Sequence, residues 1–213
     1  MKNNINLDAE IRKTEELLAS LRKKQAEQKI RLEDCSIGDV VNIAGFDFII
    51  VGKRTPFPFF TGTADTILLS KDLLLENEKF GDTPDYSKSN VRSKLEGEIL
   101  PQIEDAVGED NVCNIETDLT AVNGINEYGR KNFKIRPLTF EEVRRFNEFI
   151  PNKDLDDWWW TCTPWSSKGR DWEKCVTVVS PSGYIHDHDC DLNFGVRPVC
   201  ILKSSIFVSK GEQ

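Results

Sequence analysis

From His186 to Asp191 every residue can bind a metal or carry a proton. On an extended strand His186, His188 and Cys190 face one way, and Asp187, Asp189 and Asp191 face the other. Two imidazoles and a thiolate are zinc ligands in type, and three carboxylates suit calcium. An ordinary hydrated polar stretch has the same composition, so this spacing assigns no metal and no cofactor. Binding without a metal is the second chemistry open to these residues. Tyrosine, aspartate and asparagine are the side chains of adaptable recognition loops. The candidate ligand-binding residues are therefore Tyr184, Ile185, His186, Asp187, His188, Asp189, Asp191, Asn193 and Phe194. Trp165, Arg170 and Trp172, in a stretch of Ser, Lys, Gly, Arg and Asp, add exposed aromatic and cationic contacts.

Catalysis has less footing. The sequence contains no nucleophile elbow, phosphate loop or HExxH pattern. Its two histidines both fall in the stretch just described, which leaves little material for a Ser-His-Asp arrangement. The six cysteines (35, 113, 162, 175, 190 and 200) form no CxxC pair. Without a visible secretion signal, the default is free or buried thiols rather than a disulfide framework.

The elements that must position these residues occupy a chain of 213 residues, long enough for one good-sized domain and an appendage. A formal charge of −8 opposes nonspecific binding to nucleic acid or to anionic membrane. No apolar run reaches the length a membrane span requires. The first residues lack an apolar signal core, so the chain is expected to be cytoplasmic on synthesis, with release inside a phage particle or by another route left open.

Residues 1–34 are expected to form an N-terminal coiled-coil helix and residues 35–213 a single α+β domain. The helix is placed at 5–32, with Leu7, Ile11, Leu18, Leu21 and Leu32 on a heptad seam completed by Thr14, Gln25 and Gln28. An isolated helix of this length is marginal in water. It is therefore expected to associate between chains, as a dimer or a trimer; lying on its own domain is the alternative. Beyond Cys35 the period becomes that of strands: 40–43 and 46–51 form a hairpin across Ala44-Gly45. Pro56, Pro58 and Gly62 break the chain, and 66–69 is another strand. Asp85 to Asn90 supplies N-cap chemistry for a helix near 89–105, with Val91, Leu95, Ile99 and Ile103 on its inner face. Thr139, with Glu142 three residues on, caps a second helix whose apolar stripe is Val143, Phe146 and Phe149. Trp158, Trp159 and Trp160 are expected in the core rather than on a carbohydrate-stacking platform. Arg197, in an apolar strand, needs a partner, expected to be Asp154, Asp156 or Asp157.

The order of these motifs resembles a family of bacterial and prophage proteins with a C-type-lectin-like fold. These are related to formylglycine-generating enzymes and to the variable proteins of diversity-generating retroelements. The residues that carry the resemblance are Leu68 to Asp72, Tyr86 to Arg92, Arg136 to Thr139, Trp158 to Pro164, Ser180 to Gly183 and Gly195 to Pro198. It covers roughly residues 36–208. The resemblance implies two helices beside twisted antiparallel strands, with the tryptophan and Gly-Val-Arg-Pro segments as framework and the turns between them displaying a binding surface. It also implies a non-catalytic, oligomeric, receptor-binding protein whose ligand is a cell-surface protein or glycan. Residues 184–194 contain no Lys, Glu, Gln, Met or Trp, the residues that adenine-directed variation of an AAC-type codon cannot produce. The calcium-dependent Glu-Pro-Asn and Trp-Asn-Asp sugar motifs are absent. Two alternatives stay open: a formylglycine-generating type of oxidase using Cys190 or Cys200 with copper, and a structural virion subunit without a ligand.

Overall fold

The computed structural model describes residues 10–18, 29–54 and 65–211. Residues 10–18 form helix α1. The chain breakers Pro56, Pro58 and Gly62, and the seam positions Leu7, Leu21, Gln25 and Gln28, lie outside the described residues. The fold is α+β, with mostly antiparallel sheets and few helices.

A seven-stranded antiparallel sheet forms one layer. Its strands are β1 (Lys29–Arg31), β2 (Val40–Ile43), β3 (Phe46–Arg54), β4 (Asp65–Ser70), β8 (Ile135–Pro137), β13 (Pro198–Lys203) and β14 (Phe207–Lys210). They run in the order β1-β14-β2-β3-β4-β13-β8. Ala44 (φ 56°) and Gly45 (φ 87°) both take left-handed backbone, which lets a two-residue turn follow the twist of the β2–β3 hairpin. The second sheet has β5 (Leu75–Lys79), β9 (Trp159–Pro164), β10 (Cys175–Val179), β11 (Ile185–Asp189) and β12 (Asn193–Val196). Its order is β11-β10-β9-β12-β5, with a parallel pairing between β9 and β12. Strands β6 (Ile115–Asp118) and β7 (Arg130–Phe133) form a separate ribbon.

Central strands are buried on both faces, and the period of two divides neighbours between two cores. Leu68, Trp160, Val178 and Cys200 belong to one cluster, while Leu69, Trp159, Val179 and Val199 belong to the other. This explains why Trp159 to Pro164 and Cys175 to Val179 are buried at every position instead of alternating with polar residues. Helix α2 (Asn90–Lys94), a π-helical turn (Leu95–Ile99) and helix α3 (Leu100–Val107) follow one another and close the first core. Val91, Leu95, Ile99 and Ile103 point inward as the spacing predicts. Ser89 caps α2 by accepting from the Arg92 N–H at 3.0 Å. Helix α4 (Phe140–Arg145) flanks the second core through Val143, and Thr139 and Glu142 form the predicted capping box.

Two expectations are corrected. The helix foreseen over 5–32 does not extend through its last residues: Lys29–Arg31 pair with β14, and Leu32 is fully buried in the domain's own core. Residues 29–34 therefore belong with the sheet. Ladder hydrogen bonds and burial of Leu32 outweigh local helix propensity there. Arg197 is fully buried and, among the described residues, pairs with no carboxylate. Its Nε donates to the Ser70 carbonyl at 2.7 Å, and its terminal nitrogens donate to Ile150 (3.0 Å) and Phe149 (3.2 Å) carbonyls. The guanidinium also lies 5.9 Å from the Trp159 ring centre. Burial pulls its pKa down to about 10, against a smaller opposing effect of Asp72. Asp154, Asp156 and Asp157 instead border a cavity of about 370 Å³ with Asp72 and Glu76.

Candidate functional site

Residues 184–194 are mostly strand rather than irregular loop. Ser180 to Gly183 reverse the chain between β10 and β11, with the Gly183 N–H donating to the Ser180 carbonyl at 2.9 Å. Gly183 has φ +86°, and a Cβ there would sit 3.4 Å from the Pro151 ring, so backbone conformation favours glycine. The Ser180 hydroxyl accepts the Tyr184 N–H at 3.0 Å, fixing the start of β11. Register then alternates the residues: Val176 faces His188, Thr177 faces Asp187, and Val178 faces His186.

One face of β11 gathers rings. His186 and His188 lie 5.4 Å apart, Tyr184 lies 6.0 Å from His186, and Phe194 lies 5.0 Å from His188. Trp158 stands edge-on to both Tyr184 (6.1 Å) and His188 (6.0 Å). In hydrogen-bonding order, β10 and β9 separate β11 from β12. Three strand spacings would span about 14 Å in a flat sheet. The His188–Phe194 contact therefore requires the sheet to curl until β11 returns toward β12. Behind Phe194 the ring contacts continue inward, through Trp160 (4.9 Å) to Phe80 (5.4 Å) and Tyr86 (6.3 Å). The outer end is open to solvent, with Tyr184 60% and the His186 side chain 48% exposed. The result is an aromatic surface whose base is locked into the core.

The opposite face differs. Asp189 accepts from the buried Cys175 thiol at 3.4 Å, and Asp187 lies beside the same group. Burial, then the hydrogen bond and charge of Asp189 with a contribution from Asp187, push that thiol up to about 12. Ile185 packs into the second core. Asp189 and Ile185 are thus separated from the rings, whereas Asp187 Oδ1 lies 3.5 Å from His186 Nδ1; Asp191 and Asn193 are exposed at and after the turn into β12. Asn193 is paired with Lys79 in register.

His186, His188 and Cys190 do not assemble on one strand face. Cys190 is buried in the turn after β11, beyond the strand that holds the two histidines. Among the described residues no group of three or more His, Cys, Asp or Glu side chains is placed to hold a metal ion. Trp165, Arg170 and Trp172 lie in the connection from β9 to β10, at the Asp189 end of the sheet. The Trp172 carbonyl receives the Cys175 N–H at 3.0 Å, and its side chain is 67% exposed. Among the described residues, no ring contact joins Trp165 or Trp172 to the aromatic surface at Tyr184, so they do not complete it.

Trp158 was expected in the core with its two neighbours, but it is only half-buried and joins the rings at the surface. Strand parity is the signal that separates it from Trp159. Residues 158 and 160 share a face, and residue 160 has Phe194 beside it. The cysteines of the oxidase alternative are both buried. Cys200 is fully buried, which pushes its thiol up to about 12; burial and Asp191 also raise Cys190. Among the described residues, no helix is long and apolar enough to cross a membrane. Comparison with protein-family models, curated proteins and solved structures finds no match for this chain.

Proposed function

We propose that this chain is a non-catalytic ligand-binding protein, and that its recognition surface is the ring cluster of Trp158, Tyr184, His186, His188 and Phe194. The observation that carries this reading is the continuous series of ring contacts from the buried Trp160 out to the exposed Tyr184. Aromatic side chains supply large contact area at small conformational cost, and rings already held by a core lose little freedom when a ligand arrives. The ligand class is a cell-surface protein or glycan, both of which present flat, partly apolar patches.

The finer fold reading, a C-type-lectin-like domain, rests on the motif resemblance. The tryptophan and Gly-Val-Arg-Pro segments forming β9, β12 and β13 support it. Self-association through α1 is part of the proposal. Ile11, Leu17 and Leu18 are 49%, 59% and 48% exposed, and Ile11 and Leu18 are a heptad apart. Joining several weak sites in this way would raise avidity without any new contact. The oxidase alternative draws no support from its thiols, because a reactive cysteine is a thiolate in an accessible, electropositive setting.

The test uses the full chain against a glycan panel and intact bacterial cells. Tyr184→Ala with His186→Ala should abolish binding and leave the melting temperature unchanged, since both side chains face solvent. Undiminished binding by the double variant removes this surface from the reading. Sequencing the gene across its source population addresses diversification separately. Substitutions concentrated in 184–194 support it, and an even spread argues against it.

A further inference from the structure

A cavity of about 450 Å³ lies on the other side of β9, lined by residues of β6, of the segment after it and of the start of α4. Its volume is that of a small-molecule site. Thr163, which borders it, receives the Phe140 N–H at the start of α4, the helix whose Val143 lies in the second core, whereas the rings at the surface pack with Trp160 on the first core. The two sites are therefore on opposite faces of one sheet.

The floor is a buried ion pair. Arg136, 2% exposed, donates to both oxygens of Glu142 at 2.6 and 2.7 Å, to the Thr117 hydroxyl at 2.6 Å and to the Pro137 carbonyl at 2.9 Å. The walls are fastened to the frame. The Val122 N–H donates to the Pro164 carbonyl at 2.9 Å, and the Asn123 amide donates to the Ser166 hydroxyl at 2.9 Å. Phe140 forms an aromatic wall, with Arg144 over its ring at 5.6 Å. Such a cavity is preformed.

Among the described residues, the cations at this cavity are already paired. Both terminal nitrogens of Arg136 are engaged by Glu142, so no free cation awaits an anion. Two N–H groups at the start of α4 are taken as well: Phe140 donates to the Thr163 hydroxyl at 2.9 Å and Glu142 to the Thr139 hydroxyl at 3.2 Å. At the rim, Arg130 bridges Glu116 (2.9 Å) and Asp118 (3.2 Å), one cation for two carboxylates, and Arg144 sits 3.4 Å from Glu141. What remains is the hydroxyl protons of Thr139 and Thr163, lone pairs on paired carboxylates, the Phe140 ring and the apolar side chains of Ala121 and Val122. Hydroxyl donors and carboxylate acceptors beside an aromatic wall match a ligand with several hydroxyls and an apolar face.

We propose that this cavity is a second binding site, for a neutral polyhydroxylated small molecule of sugar or cyclitol type. The probes are myo-inositol, glucose and N-acetylglucosamine, with glucuronate and glucosamine as charged counterparts, titrated into the full chain by calorimetry and NMR. At least one neutral probe should bind saturably in the millimolar range, and glucuronate should bind more weakly. Val122→Trp, which fills the cavity, and Phe140→Ala, which removes its wall, should each weaken binding about ten-fold or more. The melting temperature of each variant establishes that it folds, and two independent variants guard against the loss of either. Tyr184→Ala should leave this binding unchanged, which separates the cavity from the ring surface. Absence of saturable binding by every neutral probe overturns the proposal. So does binding indifferent to Val122→Trp, tighter binding of either charged counterpart, or binding lost with Tyr184→Ala.

Discussion

Two adjacent glutamates at the start of α4 should differ widely in their contribution to stability. Glu142 receives both terminal nitrogens of the buried Arg136 and the Thr139 N–H, whereas Glu141 is 75% exposed and only 3.4 Å from Arg144. Glu142→Ala leaves a guanidinium that is 2% exposed without its counter-charge and opens the capping box. Breaking a buried pair from one side costs about 3–5 kcal/mol, and losing the Thr139 N–H bond to Glu142 is a smaller contribution of about 1 kcal/mol. Glu141→Ala should cost less than about 1 kcal/mol, as for exposed pairs. For a domain of this size, the Glu142 variant should melt about 6–20 °C lower. Urea unfolding followed by fluorescence and circular dichroism provides the free energies, provided the slope with denaturant is unchanged. A loss below about 1 kcal/mol for Glu142→Ala would refute the reasoning, because a charge as enclosed as Arg136 could not then be present. Arg136→Met with Glu142→Leu should recover much of the loss, since an apolar pair leaves no charge behind.

The same pair sets an acid limit. Burial alone would raise the Glu142 pKa, but the charge and hydrogen bonds of Arg136, with those of Thr139, outweigh it and hold the pKa below the usual glutamate value. A depressed carboxylate stabilises fully above its unfolded pKa and loses that contribution as pH falls through the folded value. Stability should therefore decline in acid, and Glu142→Gln should flatten that part of the profile. Arg197→Met should cost about 3 kcal/mol or more in urea unfolding, because it strands the carbonyls of Ser70, Ile150 and Phe149; a neutral result would mean that water replaces the guanidinium. Gly195→Ala would place a Cβ 2.5 Å from a Leu73 methyl, so a cost of about 1–3 kcal/mol is expected, relieved by Leu73→Ala. Non-additive unfolding energies in that double variant are the check. Ile11→Glu with Leu18→Glu should lower the mass measured by light scattering to that of one chain; an unchanged mass removes α1 as the association element.

What was legible in the sequence was local chemistry. The Ala44-Gly45 turn, the Ser89 cap and the Thr139–Glu142 box each need only a few neighbouring residues, and each occurs where the spacing put it. The inner face of the 89–105 helix was legible for the same reason, though the wide turn at Leu95–Ile99 was not. What failed depended on distant partners. Arg197 finds its carbonyls on β4 and after α4, segments 47 to 127 residues away in the chain, so no nearby aspartate was needed. Lys29 to Leu32 fit a heptad in isolation, and only β14, at the far end of the chain, makes them a strand. Of the ring surface, Tyr184, His186, His188 and Phe194 were legible as a polar-aromatic stretch. The role of Trp158 was not, because curling of the sheet brings it there. The cavity above Arg136 left no signature, since its walls come from three separated stretches, 116–124, 136–142 and Thr163.

The pairing of β1 with β14 has a mechanical consequence. Lys29 lies opposite Ser209, so the segment entering the sheet and the segment leaving it emerge at the same end of one antiparallel ladder. Tension applied between those two segments peels the ladder open one bond at a time, starting at Lys29, instead of shearing its bonds together.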